Sequence, residues 1–391
     1  MIAPRHRLFV IALLLAIPAH GLSQQGTEKI TPQQLKAAID QLGNLDFATR
    51  MNAARTVRRS PQAQAVPALI QAVTEHADGY VRFRALVLLA GFNDGRTPSV
   101  VLPLIADAND RVRATAYTWF EHNKVPGAIP QLLKALEKEE SEFVRPNLMR
   151  ALAAYGDDAR VREVMKGLVN RGQDLFRSVA IEAIGDYKGS YALPELTRVA
   201  QLDGPLQADA ILALGKIGDK RALETFAALQ RTAPRNAQPS IAAAICLLGV
   251  NCQTHQPYLA DTVAFAVKNS GFQERLRPAV GGLAAIAAQG GESALQTLID
   301  AGAPAQDPAR GPIALGVGTV ALRNPTLTLR VAEQQADLGP LVGLLRDAFD
   351  MLEEDYAEEM FYVTVRRAYW AAAEGTPARK AAGTLVQKLE F

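Results

Sequence analysis

Cysteine is almost missing from this chain of 391 residues, with Cys246 and Cys252 the only two. That excludes a disulfide framework and a four-cysteine zinc site. Histidine is scarce as well. Outside the first 23 residues only His76, His122 and His255 remain, and none belongs to an H-E-x-x-H pair or to a Cys/His ligand spacing. No metal or other cofactor is expected. Neither sign of charge is in excess: 42 basic residues face 40 acidic ones. A chain without a bulk field does not gather nucleic acid, so none is expected as a partner. The nucleophile elbow G-x-S-x-G and the phosphate-binding G-x-x-x-x-G-K-[ST] are both missing. The glycine-bearing stretches GGLAAIAAQGG and LGVGTVA follow no strand pattern and read as close helix packing.

Long apolar runs are lacking too, apart from one. Arg5 and Arg7 precede LFVIALLLAI, residues 8–17, and small or polar residues follow. This basic, apolar, small order is that of a secretory signal, with cleavage expected after Gly21 or Ser23. Ten apolar residues make a helix of roughly 15 Å, half of a ~30 Å hydrocarbon core, so no membrane span is expected in the mature chain. Export to the periplasm or the extracellular space is the expectation. Loss of residues 1–23 removes two arginines and no acid, which leaves the mature protein neutral.

What the sequence does hold is repetition. The phrase YVRFRALVLLAG at residue 80 returns as RVRATAYTWFEH at residue 111. With the arginine of V-R-x-x-A as a marker, the copies fall at Arg50, Arg82, Arg113, Arg145 and Arg177, in steps of 31 or 32. The phase continues at Gln207, Ser240, Arg277 and Arg310. Three residues after each marker stands a small or apolar residue: Ala53, Ala85, Ala116, Leu148, Ala180, Ala210, Ala243, Val280 and Ile313. Fifteen residues before it, Pro67, Pro98 and Pro130 each open an apolar run, as proline suits a first helical turn. Asp46, Asp78, Asn109, Ser141, Asp203 and Asn236 stand four before it, where an N-cap of a second helix belongs. Gly91, Gly156, Gly185, Gly215 and Gly249 are placed to end that helix. Each unit therefore reads as a helical hairpin. One hairpin cannot bury its apolar stripe, so units stack on a shared core, and the residue at +3 faces the neighbouring unit.

This pattern resembles the HEAT repeat, and its short D..VR..A...L form is similar to the bacterial HEAT-like repeat first associated with phycobilisome lyases. The resemblance implies an all-α fold, an α-solenoid of about nine to ten stacked hairpins. It also implies a structural ladder of Asp–Arg contacts along Arg50, Arg82, Arg113, Arg145 and Arg177, from which Gln207 and Ser240 depart. A related enzyme class on the same repeats, deoxyhypusine hydroxylase, holds iron through His-Glu pairs. Here the equivalent stretches read RFRA, RATA and RSVA.

The expected organisation is a signal peptide over 1–23, a disordered lead over 24–30, a repeat solenoid over 31–325 and an atypical helical cap over 326–391. Six acids between residues 350 and 359 and a crowd of aromatics mark that cap. It reads as end protection for the core, or as a docking surface for a basic partner through Glu353, Glu354 and Glu358. Cys246 near the end of a second helix and Cys252 just past Gly249 are expected to form a structural disulfide, which an oxidising compartment favours. The function expected is a non-catalytic scaffold binding an unidentified protein or peptide on the inner face, where positions +2 and +5 offer Arg84, Thr118, Arg150 and Glu182. The alternative is an envelope enzyme or an accessory factor of a modification system.

Overall fold

The computed structural model describes residues 30–269 and 272–390. The expected signal peptide and, but for Ile30, the expected lead lie outside them. Among the described residues there are twenty-two α-helices and no strand. They pair as hairpins. The first three are α1 (Pro32–Asp40) with α2 (Phe47–Arg59), α3 (Gln62–Glu75) with α4 (Gly79–Phe92), and α5 (Thr97–Leu104) with α6 (Asp110–His122). Next come α7 (Ile129–Leu136) with α8 (Arg145–Ala154), α9 (Ala159–Asn170) with α10 (Asp174–Asp186), and α11 (Leu193–Ala200) with α12 (Gln207–Ile217). Then follow α13 (Ala222–Thr232) with α14 (Gln238–Leu247), α15 (Cys252–Asn269) with α16 (Gln273–Ala288), and α17 (Glu292–Gly302) with α18 (Arg310–Arg323). A tenth hairpin, α19 (Pro325–Gln334) with α20 (Gly339–Leu352), continues the stack, because α20 packs on α18 as each second helix packs on the one before. The boundary expected at 325 therefore moves to about 352. Only α21 (Asp355–Ala371) and α22 (Pro377–Lys388) stand outside the alternation.

The +3 position is buried in all nine phased units. Asp46, Asp78 and Asn109 cap α2, α4 and α6 by accepting from backbone N–H groups in the first turn. Ser141, Asp203 and Asn236 do not: the second helices of those units begin later, at Arg145, Gln207 and Gln238, after a tight turn. Pro67 likewise lies inside α3, which starts five residues earlier at Gln62. Gly185 and Gly215 stand one and two residues inside the ends of α10 and α12, and they pack rather than cap. A Cβ on Gly185 would sit 2.8 Å from Cα of Ala213, and one on Gly215 2.5 Å from Cα of Ala244. These glycines let consecutive second helices touch backbone to backbone.

Most of the markers share one task that spacing alone did not disclose. Three reach back to the carbonyls that end the first helix of their own unit: Arg145 Nη1 donates to Leu136 O at 3.0 Å, Arg177 Nε to Val169 O at 3.0 Å, and Arg310 Nη1 to Gly302 O at 3.2 Å. Arg50 and Arg82 donate to the turn carbonyls Asn44 O and His76 O. A cation there satisfies carbonyls that the helix leaves without partners and meets the negative end of its dipole. Gln207 does the same through Ala200 O at 3.1 Å, and in the next unit Gln238 serves through Ala233 O at 3.0 Å. Carboxylate contacts to a neighbouring unit occur at Arg82–Asp107, Arg113–Glu139 and Arg310–Asp347.

The stack curls until its end meets its beginning. Helix α21 lies against α4 and α6 on one side and α18 and α19 on the other. Its Tyr356 belongs to the apolar core of the first seven units, and its Phe361 and Val365 to that of the later ones. Arg55 of α2 donates to the carbonyl of Glu390 at 2.8 Å.

Candidate functional site: the inner face and the turn edge

Closure decides what the inner face offers. Arg58 of α2 and Glu359 of α21, 301 residues apart, form a buried ion pair in which Arg58 Nε donates to both carboxylate oxygens at 3.0 Å. Burial opposes the charge on Arg58, but Glu359 more than offsets it and holds the guanidinium above its ordinary pKa. The Tyr362 ring centroid lies 4.7 Å from the same guanidinium. Arg84 pairs with Asp355, and Arg111 stands 3.9 Å from Glu353. His122 stacks on Tyr356 with ring centroids 5.4 Å apart, and Asn123 Nδ2 donates to the Tyr356 hydroxyl at 3.1 Å. The acidic end thus docks on arginines of units one to three of its own chain. Asp355 and Glu359 find their complementary charges inside the chain, whereas Glu353, one of the residues of the outward docking reading, keeps an exposed side chain. Glu358 is half-buried among Asp355, Glu354 and Asp350, and burial followed by Asp355 pushes its carboxyl up to about 8.

A second charged network crosses the middle of the inner face. Glu121 accepts from the Tyr187 hydroxyl at 2.7 Å and lies 3.2 Å from Arg150 and 3.8 Å from Arg323 of unit nine. Arg150 also reaches Asp186 at 3.1 Å, and Asp186 holds Lys216 at 2.8 Å. Burial by itself would raise the Asp186 carboxyl, but Lys216 and Arg150 keep it below its usual value. Burial lowers the pKa of His122 below its ordinary value. Ser178 donates to Asp209 at 2.6 Å, and burial raises that carboxyl. Two of the residues expected to face a partner, Arg84 and Arg150, are therefore engaged inside. Thr118 is hydrogen-bonded to Ala114 O and Asn147. Glu182 and Glu353 are exposed, and Glu354 is half-buried. Sequence reasoning missed Asp186, Tyr187, Lys216 and Arg323, because they meet only when the stack curls. Glu121-His122 was visible as an adjacent pair, but its partners were not.

Cys246 and Cys252 have their sulfur atoms at bonding distance and Cα atoms 4.3 Å apart, with Gly249 at φ +74° making the reversal between them. Beside Cys252 a shallow groove of about 450 Å³ runs between α15 and α17, lined by Gln253, Gln256, Pro257, Ala260 and Thr297. Among the described residues, no group of three or more His, Cys, Asp and Glu is arranged to hold a metal, and no helix is long and apolar enough to cross a membrane.

The other accessible surface is the edge formed by the turns between first and second helices. Of the nine exposed large apolar side chains among the described residues, five lie there: Leu45, Phe47, Phe143, Leu175 and Leu202.

Fold and geometry define a helical-repeat solenoid closed on itself. Residues 98–185 match the family described as HEAT repeats, and residues 206–232 match the PBS lyase HEAT-like repeat. Over these residues the chain carries HEAT repeats, including one of the PBS-lyase-like type. Similar solved structures include YibA of E. coli, 18% identical, with 55% of this chain and 81% of that one covered at a TM-score of 0.41. The CpcE–CpcF complex of phycocyanin lyase from Nostoc sp. PCC7120 is 17% identical, with 83% and 96% covered and a TM-score of 0.33. Human deoxyhypusine hydroxylase is 16% identical, with 56% and 96% covered and a TM-score of 0.26. None of them carries its activity or its partners to this chain. No curated protein matches it.

Proposed function

We propose that this protein is an exported, non-catalytic scaffold that binds another protein or peptide through the outside of a closed solenoid. One observation carries the reading: α21 and the Glu121–Arg150–Asp186–Lys216 network use the inner-face charges on one another, so charged side chains there hold the shape. The turn edge and the outer helices stay accessible, and on the inner face Glu182 does too. Export rests on the basic and apolar order of residues 5–17 and agrees with a cysteine pair at bonding distance. The test is capture of partners from an envelope extract by the mature chain, with N-terminal sequencing of the protein recovered from cells. A start near Leu22 or Gln24 and a stoichiometric partner support the reading. An intact Met1 refutes export, and turnover of an envelope component by the purified chain refutes the scaffold.

The second reading, an accessory factor or enzyme of a modification system, has one observation in its favour. His122, its pKa lowered by burial and its ring stacked on Tyr356, stands next to Glu121 at the meeting of units three and nine. Replacing His122 with Asn tests it: a lost modification with unchanged partner capture would favour this reading over the scaffold.

A further inference from the structure

The two long faces of α21 differ in kind. Phe361 and Val365 lie in the apolar core of the later units, with the Phe361 ring centroid 5.6 Å from that of Phe349, and α22 packs on both α21 and α19. The other face rests on units one to three. It consists of Asp355, Tyr356, Glu359, Met360, Val363 and Arg366, at the three- and four-residue spacing of one helix side.

The second helices of three consecutive units meet this face with arginines: Arg58 of α2 with Glu359, Arg84 of α4 with Asp355, and Arg111 of α6 near Glu353. Tyr356 stacks on His122, and its hydroxyl accepts from Asn123. Glu359 has room because α4 carries a glycine beneath it: a Cβ on Gly91 would stand 3.1 Å from the carboxylate and 3.4 Å from Val363. Units one to three thus form a berth for a helix that brings two carboxylates four residues apart, with an aromatic ring next to the first.

As an occupant of that berth, α21 fits incompletely. Arg58 Nη1 is buried and has no hydrogen-bond partner among the described residues, so one donor of the berth goes unmet. Glu358, carried by the same helix, stands half-buried among Asp355, Glu354 and Asp350. Both features weaken the closed state, because each group loses hydration without full compensation. Contacts within a chain that are polar rather than broadly apolar are also the ones that part most readily.

From the two faces of α21 we propose that this helix is a built-in occupant of a binding site: units one to three take an acidic amphipathic helix of a partner protein, which displaces α21 and opens the ring. The partner's helix carries carboxylates at i and i+4 for Arg84 and Arg58 and an aromatic residue at i+1 for His122. One further acceptor, for Arg58 Nη1, makes it a tighter ligand than α21. The inference goes beyond the outer-surface reading by adding a site that the closed chain masks, and a peptide titration decides it independently of envelope capture.

The probe is a fluorescein-labelled peptide with the sequence of residues 353–370, titrated with the full mature chain and followed by anisotropy. In the wild type α21 competes from within the chain at an effective concentration of about 1 mM, so weak binding is expected. Asp355→Asn/Glu359→Gln releases α21 and leaves Arg58 and Arg84 in place; this variant should bind the peptide at least about tenfold more tightly. A peptide with the same two amide replacements, or the addition of Arg84→Gln to the variant, should lose at least about tenfold in affinity. Bound peptide should slow hydrogen exchange in α4 and α6 of the variant. Where the double variant fails to fold, Asp355→Asn alone, at the less buried of the two pairs, gives the same comparison. Equal affinity of wild type and released variant, equal affinity of acidic and amide peptides, or no saturation below about 1 mM overturns the proposal. Protection that falls on α18, α19 and α22 instead also overturns it, because the peptide would then have replaced α21 on its apolar side.

Discussion

Breaking the Arg58–Glu359 pair should open the closed solenoid, and the size of the effect follows from burial. The side chains are 7% and 2% exposed, so neither charge regains water when its partner is removed in the folded state. An uncompensated buried charge of this kind costs about 3–5 kcal/mol, whereas replacing both members by apolar side chains of similar volume is often neutral or better. Glu359→Gln keeps the shape and leaves Arg58 charged with weakened acceptors; Arg58→Met leaves Glu359 alone. Each single variant is expected to lose about 3 kcal/mol, and Arg58→Met/Glu359→Met to recover most of it, a coupling well above the ~0.5 kcal/mol scatter of independent sites. Urea unfolding followed by circular dichroism measures the stabilities, and urea avoids the screening that guanidinium introduces. Hydrogen exchange in α21, α4 and α6 should rise in the single variants, because α21 is held to the first units through this pair, Arg84–Asp355 and the Tyr356 contacts. Glu359→Gln within about 0.5 kcal/mol of wild type, or a double variant as unstable as the sum of the singles, would refute the reasoning.

Three further outcomes test other parts of the structure. Ala180→Asp buries a carboxylate between second helices and should cost several kcal/mol, while Glu182→Gln at the exposed +5 position should stay near neutral; equal melting temperatures would show the helical phase to be wrong. Glu358 has its folded pKa raised from 4.5 to about 8, so the folded state holds a proton that the unfolded state has lost, and stability falls as pH rises between those values. Glu358→Gln should therefore melt progressively above wild type as pH increases through this window, and a difference independent of pH would count against the crowding of Glu358 by Asp355 and Glu354. Reduction of Cys246–Cys252, or a double alanine variant, should lower stability by roughly 2 kcal/mol and raise exchange first in α14 to α16, since Cys246 packs in the core of the later units; two free thiols in oxidised, envelope-derived protein would refute the bond.

How far the sequence reached differs between parts of the molecule. The 31- or 32-residue phase, the paired helices and the buried +3 position were legible because each arises from contacts inside one unit or with the next, and the chain repeats those contacts at constant spacing. The N-caps at Asp46, Asp78 and Asn109 were legible for the same local reason. Where the turn chemistry changed, at Ser141, Asp203 and Asn236, local pattern misplaced the helix starts by a few residues. The markers were found by spacing, but their bonds to helix-end carbonyls needed coordinates, and so did the equivalence of Gln207 to an arginine.

The sequence by itself determined a stack of helical hairpins, since the pattern of apolar and small residues states each unit's geometry and its contact with a neighbour. Curvature was decided only in three dimensions. A small rotation per unit, set by side chains as slight as Gly185 against Ala213 and Gly215 against Ala244, accumulates until unit one meets α21. No periodic signal connects Arg58 to Glu359 or Glu121 to Arg323, because such pairs form at the sum of many rotations rather than at a fixed offset along the chain. That sum turned the acidic C-terminal end into an internal partner for arginines.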